Sequence, residues 1–510
     1  MAVIDPTRSP AWAESLAVTQ QRFADDLEAA GFISADRDGV WEGDLEVASL
    51  AGGTTTASLE IEIGDEFPFQ PPKVTDTSMV SAHTWHHNRD WSLCLYGTRH
   101  VGDRPWQTVS SLLDRVRDWF ANAAAGWPDD PPDLDLERYF EPVTTFVTYD
   151  ELEALVGNPV SATQRSGSWL HIDKVGYLPK QKRSRRNKWW GWVGDLGELD
   201  APVFDWPTVH ARLGEDADQA AKRVRAGGYE FLALRYRRGD HVGVIVLLPR
   251  VAGSAIHLRS AIAAANDSTT RRLRAGTPET VAILTNKTVA IVGVGAVGSF
   301  LADMLARAGI GRLHLVDHDL LRPGNCIRHL AGYRSIGEAK TRAVRDVLVK
   351  RELMDLDRIV TTESMLDAGL AVDLLEKADV VIDATADDNV RGLLAHLHGS
   401  ATAHNLASAV VSVAVHRSGG VIRSDRWPRS SGGPPAPIPA HPDGEVELFE
   451  GGCGDPVATT PAASVLEAAG LASRHVIDLL TGANALPDSI VQVLTPQPDV
   501  PYQSLGVVTT

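Results

Sequence analysis

Gly293-Val294-Gly295-Ala296-Val297-Gly298 decides the fold of the C-terminal half of this chain. It follows an apolar strand pattern, Thr288–Val294, and opens a helix pattern. The first glycine allows a tight turn, the second lets backbone approach a phosphate, and the third lets helix and strand pack closely. The helix start offers free N–H groups to an anion. Working outward, Arg312–Val316, Ile359–Thr362, Val380–Ala384 and Val410–Val415 read as further strands, with helical stretches between most of them. That alternation predicts a Rossmann-like, doubly wound parallel sheet. Asp317, at the end of the second strand, is placed to bind ribose hydroxyls. A dehydrogenase would share all of these features.

The next residues separate the readings. Val316-Asp317-His318-Asp319-Leu320-Leu321-Arg322-Pro323-Gly324-Asn325-Cys326-Ile327-Arg328-His329 puts polar and cationic groups just past the strand end. Gly337-Glu338-Ala339-Lys340 begins the next helix, and Asp383 ends another strand. Arg328 and Lys340 suit a triphosphate, and Asp383 suits Mg²⁺. This favours phosphate chemistry on ATP over hydride transfer. The stretch 288–390 resembles the adenylation domain of the ubiquitin-activating enzymes and of the sulfur-carrier adenylyltransferases. The resemblance implies that the loop glycines Gly293, Gly295 and Gly298 receive the nucleotide and that Asp317 binds ribose. It also implies that Asn325, Arg328 and Lys340 surround the phosphates, that Asp383 binds magnesium, and that a protein C-terminal carboxylate attacks the α-phosphate.

The N-terminal segment, 1–145, opens with an amphipathic helix pattern, Trp12–Ala30, followed by strand patterns Gly39–Leu50 and Thr54–Ile63. Then come Phe67-Pro68-Phe69-Gln70-Pro71-Pro72-Lys73-Val74, His86-His87-Asn88, Leu93-Cys94-Leu95, Trp106 and an amphipathic helix over Val109–Ala125. This series resembles the ubiquitin-conjugating enzymes, an α+β fold. The resemblance implies a thioester on Cys94 and an oxyanion-supporting role for Asn88. The sequence departs from the family at His87, which stands where that family has proline, so His83, His86 and His87 are alternatives to Asn88.

The chain has three cysteines, Cys94, Cys326 and Cys453, with no C-x-x-C pair. A cysteine zinc site and a disulfide framework are excluded on that pattern, and a cytoplasmic enzyme with reactive thiols fits. Cys453 follows a Pro/Gly/Ser-rich stretch, Trp427–Pro442, expected to be mobile, and precedes a helix pattern, Ala462–Leu480. A thiolate near a helix start is stabilised. The activating enzymes similarly carry their catalytic cysteine on a crossover segment after the sheet, which assigns the first thioester to Cys453. Cys326 reads as a small packed residue.

The middle, 146–280, shows one hairpin, Tyr229–Tyr236 and Val242–Leu248. The expectation for it is a middle domain or a linker, and as one form of the former a degenerate second adenylation half used for dimerisation. Lys180–Lys188 followed by Trp189 and Trp190 can be a nucleic-acid grip or a solvated loop beside packed tryptophans. The net charge, 49 − 66 = −17, argues against nucleic acid as the main partner. No secretory signal is expected, and no apolar run is long enough to span a bilayer.

Together the two resemblances describe consecutive steps: adenylation with ATP and Mg²⁺, a thioester on Cys453, transfer to Cys94, and conjugation to an amine of a target protein. Such fusions resemble the type II CBASS antiphage ligases. That implies as the activated partner a ubiquitin-like protein or a cGAS-like nucleotidyltransferase. In relatives an arginine in the neighbourhood of Arg271, Arg272 and Arg274 reaches a partner's nucleotide, which implies a homodimer; a surface charge cluster is the alternative for these residues. The alternatives are a sulfur-carrier adenylyltransferase and a non-catalytic nucleotide-sensing scaffold.

Overall fold

A computed structural model describes residues 11–80, 84–97, 104–128, 134–175, 187–399, 408–429, 448–449, 456–457 and 459–508. The chain divides into two compact units, Met1–Asp267 and Ser268–Thr510.

The first unit begins with helix α1 (Ala11–Ala29) and a four-stranded antiparallel sheet in the order β1 (Ile33–Ser34), β2 (Val40–Ala48), β3 (Thr54–Glu62), β4 (Lys73–Asp76). Leu45 and Val47 of β2 and Ala57, Leu59 and Ile61 of β3 alternate inward. They meet Leu112, Val116, Trp119 and Phe120 of α2 (Val109–Ala125) in one core. Thr108 caps α2 by accepting from Ser111 N, and Gly126 ends it in the left-handed conformation.

The middle is a folded domain rather than a linker, and its architecture is not that of an adenylation half. Strands β5 (Glu141–Tyr149), β6 (Pro159–Ser166), β7 (Trp169–Val175), β8 (Lys188–Glu198), β9 (Phe231–Arg238), β10 (His241–Ala252) and β11 (Ala255–Ala265) close into a barrel in the order β10-β11-β5-β7-β6-β8-β9. Helices α3 (Trp206–Leu213) and α4 (Asp216–Arg225) cover one side. Every strand sends side chains to the inner core, including Val147, Val160, Leu170, Val193, Phe231, Val246 and Ala261. The alternate residues Leu232, Leu234 and Tyr236 of β9 face the helices. Being apolar on both faces, β9 and β10 carry no clean alternation. A barrel that mixes parallel and antiparallel pairs is not a doubly wound half, so the degenerate-adenylation expectation for 146–280 is not met. The barrel runs from 141 to 265, not from 146 to 280. Trp189 and Trp190 lie in β8, while the basic residues 180–186 lie outside the described residues.

The second unit opens with α5 (Ser268–Arg272) and α6 (Pro278–Thr285). Then β12 (Thr288–Val292), α7 (Ala296–Ala308), β13 (Arg312–Val316), α8 (Lys340–Lys350), β14 (Ile359–Thr362), α9 (Ala368–Lys377), β15 (Val380–Asp383), α10 (Asp388–Gly399) and β16 (Ala409–His416) alternate. Strand β17 (Val421–Trp427), the short pair β18 (Leu448–Phe449) and β19 (Pro456–Val457), helix α11 (Ala462–Thr481), β20 (Ser489–Val493) and β21 (Gly506–Val508) complete it. The main sheet runs β14-β13-β12-β15-β16-β17-β20-β21. Strands β14 to β16 are parallel, and the rest add antiparallel. The doubly wound expectation holds for the parallel half, and the antiparallel extension was not foreseen. Val289 and Ile291 of β12 face α7 and α11, while Ala290 and Val292 face α9 and α10. Among the described residues, no helix is long and apolar enough to cross a membrane.

Candidate functional site

The strand order reverses between β12 and β15, which makes their C-terminal ends the expected ligand crevice. A cleft of about 270 Å³ lies there, just under the usual range for ligand sites, walled by Gly293, Gly295, Asp317, Asp319, Lys340 and Thr385. Gly293 has φ +84°, and a Cβ on it would lie 2.9 Å from backbone atoms of Ala384 and Thr385. A Cβ on Gly298 would lie 1.9 Å from Gly293 O, so helix α7 reaches the loop only with glycine there. A Cβ on Gly295 would meet nothing within 4 Å: the open side of the loop faces the cleft.

Asp317 is almost fully buried, and both of its oxygens are used by backbone. Oδ2 accepts from Val294 N at 2.7 Å and Oδ1 from Asp319 N at 2.8 Å. It therefore shapes the glycine loop as well as facing the cleft. His329 secures the same loop from beneath. Its Nδ1 accepts from Ala331 N at 3.0 Å, which leaves Nε2 to donate to Val294 O at 2.9 Å, and burial holds its pKa down. Lys340, at the start of α8, donates to Asp319 at 2.7 Å. Burial pushes the Asp319 carboxyl up, but Lys340 outweighs it and the net shift is down. Asp319, Thr385 and His329, and Asp387, which also lines the cleft, were missed in the sequence. Asp319 had a signal there, as the second carboxylate two residues beyond Asp317.

The other expected nucleotide residues stand outside this wall. Asn325 lies in a 3-10 turn, with Oδ1 accepting from Arg322 N at 3.0 Å. Arg328 donates to Thr460 O at 3.2 Å, and burial lowers its pKa. Cys326 packs partly buried beside Leu321, Ala331 and Ala343, as expected of a small filler. Arg271 pairs with Glu352 at 2.9 Å and Arg272 donates to Thr285 Oγ1 at 3.2 Å, both within this unit.

Asp383 is 1% exposed, one residue behind the cleft wall. Thr385 N and Oγ1 donate to Oδ1, and Ser412 Oγ donates to Oδ2 at 3.0 Å. Burial raises its pKa. A buried carboxylate met by amide and hydroxyl donors retains lone pairs for a hard cation, so the donor chemistry fits Mg²⁺. The β-sheet register places Asp383, Ser412, Asp425 and Ser489 in one row on one face. Arg391 (2.6 Å) and Arg423 (2.8 Å) both pair with Asp425 there. This buried polar row backs Asp383 and was invisible in the sequence, because its members are far apart along the chain.

The second thiol site lies in the first unit. Residues His86–Asn88 run antiparallel to Ser92–Cys94: His87 bridges Leu93, and Cys94 N donates to His86 O at 2.7 Å. A cleft of about 480 Å³ opens beside Cys94, walled by Pro71, Lys73, Asn88, Asp90 and Tyr96 among others. Among the described candidate partners, His86 is the one whose side chain acts on the thiol, as the largest cause of its lowered pKa. Asn88 lines the cleft, but its amide donates to Ser92 Oγ at 2.9 Å. His87 is buried against Trp119 at 4.8 Å and Trp91 at 5.7 Å. His83 and Cys453 lie outside the described residues. The His86 side chain lowers the Cys94 pKa against the effect of burial, and the charge of Arg138 lowers it further. Across the cleft, burial raises the Asp90 carboxyl, yet Lys73 (2.7 Å) and Ser92 outweigh it and hold it down at about 2.

Residues 270–424 match the ThiF family. An uncharacterised protein y4oA of Sinorhizobium fredii is 35% identical over 129 residues, 22% of each chain. The ATP-dependent ubiquitin transferase-like protein Cap2 of Vibrio cholerae is 31% identical over 142 residues, covering 26% of this chain and 22% of that one. The mouse adenylyltransferase and sulfurtransferase MOCS3 is 41% identical over 103 residues, 20% of this chain and 22% of that one. The matches thus span about a fifth of these relatives. Among solved structures, E. coli MccB with MccA-N7isoASN has a TM-score of 0.35 at 18% identity, over 47% of this chain and 73% of that one.

Proposed function

From a chain whose residues 270–424 form a ThiF-family domain, we propose an ATP-dependent activating and conjugating enzyme for a protein C-terminus. The observation that carries this is the pairing of two sites in one chain. One is a glycine-loop cleft with Asp317 and Lys340, and the other is an oriented, acidified thiol at Cys94.

In the first step a carboxylate oxygen of the activated protein attacks the α-phosphorus of ATP, forming an acyl-adenylate and expelling pyrophosphate. The loop amides and Lys340 receive phosphate charge, and Asp317 holds the loop and meets the ribose. Asp383 would hold Mg²⁺, which neutralises phosphate charge during the transfer. The Cys453 thiolate then attacks the acyl carbon and AMP leaves. Cys94 takes the acyl group by thioester exchange, and an amine, taken as a target lysine, displaces the sulfur to give an amide. Tethering both sites in one chain raises the effective concentration of the second thiol. The activated protein is proposed to be a ubiquitin-like protein or a cGAS-like nucleotidyltransferase, and the setting cytoplasmic antiphage defence by a homodimer. The name of the Vibrio cholerae relative supports the transferase reading.

The mouse relative favours a second reading, activation of a sulfur carrier, which has no use for Cys94. Intact mass of the chain purified from its native host without reductant decides between them. The transferase reading expects a protein-sized adduct that hydroxylamine removes and Lys340→Met abolishes. Finding only unmodified chain while ATP is still cleaved to pyrophosphate would overturn it.

A further inference from the structure

The wall of the Cys94 cleft carries a chain of hydrogen bonds that starts on the sheet. Strand β4 pairs with the thiol segment: Thr75 bridges Ser92, and Leu93 N donates to Val74 O at 2.7 Å. Lys73, the first residue of β4, donates to Asp90 Oδ2 at 2.7 Å. Asp90 Oδ1 accepts from Ser92 N at 3.2 Å and from Ser92 Oγ at 2.7 Å. Ser92 Oγ in turn accepts from Asn88 Nδ2 at 2.9 Å. The turn that carries these groups is closed by Asn88 N, which donates to Ser92 O at 2.8 Å. Lys73, Asn88, Asp90, Ser92 and Cys94 all line one cleft.

The direction of this chain is set by which groups can donate. An ammonium only donates and a carboxylate only accepts. Against the effect of burial, Lys73 and Ser92 hold the Asp90 carboxyl at about 2, so it is ionised near neutral pH. Ser92 has one hydroxyl proton and gives it to Asp90. Its oxygen has only lone pairs left for Asn88, so the amide must turn its nitrogen to Ser92 and not its oxygen. Ser92 is 3% exposed, so little water competes for that hydroxyl. The amide keeps a second N–H, which has no partner among the described residues.

We propose that Lys73, Asp90 and Ser92 are positioning residues of the Cys94 site, locking the Asn88 amide so that its second N–H meets the oxygen of a Cys94 thioester under attack. The assignment rests on the conjugating reading of Cys94 given above. In that step the amine nitrogen bonds to the acyl carbon, and the carbonyl oxygen takes up negative charge. The C–S bond then breaks, its electron pair returns to the Cys94 sulfur, and the amine proton passes to solvent water. Asn88 donates a hydrogen bond to the charged oxygen and keeps its own proton. An amide that is already turned the right way pays no reorganisation when the charge forms. Without Ser92 or Asp90, the amide is free to present its oxygen instead.

The test follows acetyl transfer from Cys94 to free lysine in the full chain. Cys94 is acetylated with p-nitrophenyl acetate and lysine is added. The S-acetyl Cys94 peptide is then measured by mass spectrometry after acid quench and pepsin digestion. Asn88→Ala is expected to slow transfer by about 10²–10³-fold, the usual effect of removing one oxyanion donor. Ser92→Ala is expected to slow it by a smaller factor, and Ser92→Thr, which keeps the hydroxyl, to transfer like wild type. Ser92→Ala combined with Asn88→Ala should be no slower than Asn88→Ala alone, because Ser92 acts only through that amide. Asp90→Ala, at a side chain 51% exposed, should be slowed as Ser92→Ala is, without any change in the core. Wild-type transfer by Ser92→Ala would overturn the proposal. So would equal slowing of Ser92→Ala and Ser92→Thr, or losses that multiply in the double variant. Neither ATP nor a carrier is needed, so failure here is distinct from failure to find the adduct described above.

Discussion

Asp317→Asn is expected to destabilise the C-terminal unit before any nucleotide is present. In the wild type, Oδ2 and Oδ1 each accept a backbone N–H, from Val294 at 2.7 Å and Asp319 at 2.8 Å. Asparagine keeps one acceptor and turns an NH₂ group towards the other N–H, so one hydrogen bond to a charged group is lost in a buried place. Such a bond contributes about 1.5–3 kcal/mol. At 2–4 °C per kcal/mol for a domain of roughly 150–250 residues, the melting temperature should fall by about 3–12 °C. The assay is thermal unfolding without ATP, with hydrogen exchange on peptides spanning 288–320 to locate the change. Opening of the glycine loop should appear as faster exchange at Val294 and Asp319. A variant that melts and exchanges like wild type, yet no longer binds ATP, would show that Asp317 acts on the ligand alone and would refute the loop-shaping argument.

Gly298→Ala should force α7 away from Gly293 O, costing about 1–3 kcal/mol by overpacking and removing ATP binding, as melting and calorimetric titration would show. Trp85→Ala should cost about 3–5 kcal/mol and speed exchange through residues 84–96, because the ring packs between Tyr139 and Arg238. Wild-type melting of that variant would mean that the thiol segment is held some other way. Acid should weaken the second unit. Burial holds His329 and His475 below their usual value, and burial with Arg417 and Arg423 pushes His416 down to about 4. Neutral in the fold but protonated when unfolded, they contribute stability that is full above about pH 6.5 and lost as pH falls towards 4. Asp383, shifted upward, opposes this with a single group. Denaturant midpoints of this unit between pH 7 and 4 check the sign.

The glycine-loop half was legible because its signals are local. Glycine spacing, an aspartate at a strand end and an apolar strand entering a helix all fall within about 30 residues of one another in a βαβ unit. Helix α2 was equally plain from the apolar face of its Val109–Ala125 pattern, although its caps, Thr108 and Gly126, were not read in advance. The barrel was not legible, because its closure depends on pairings such as β5 with β11 and β8 with β9 that no local pattern announces. The thiol's neighbours divide the same way. His86 sits eight residues before Cys94 and was among the alternatives, whereas Arg138 is distant in sequence, near the end of the same segment. Asp383 was found as a strand-end carboxylate, but its supporting row through Ser412, Asp425 and Arg391 exists only in the sheet register.

The central claim is that an acyl group activated at the glycine-loop cleft arrives at residue 94. Cys94→Lys replaces the labile thioester with a stable amide and allows direct capture. The variant would be expressed in the native host and analysed by intact mass and peptide sequencing. The account predicts an isopeptide at residue 94 ending in another protein's C-terminus, lost when Cys453→Ala or Asp383→Ala is added. A folded Cys94→Lys chain that cleaves ATP to pyrophosphate but carries nothing at residue 94 would contradict it.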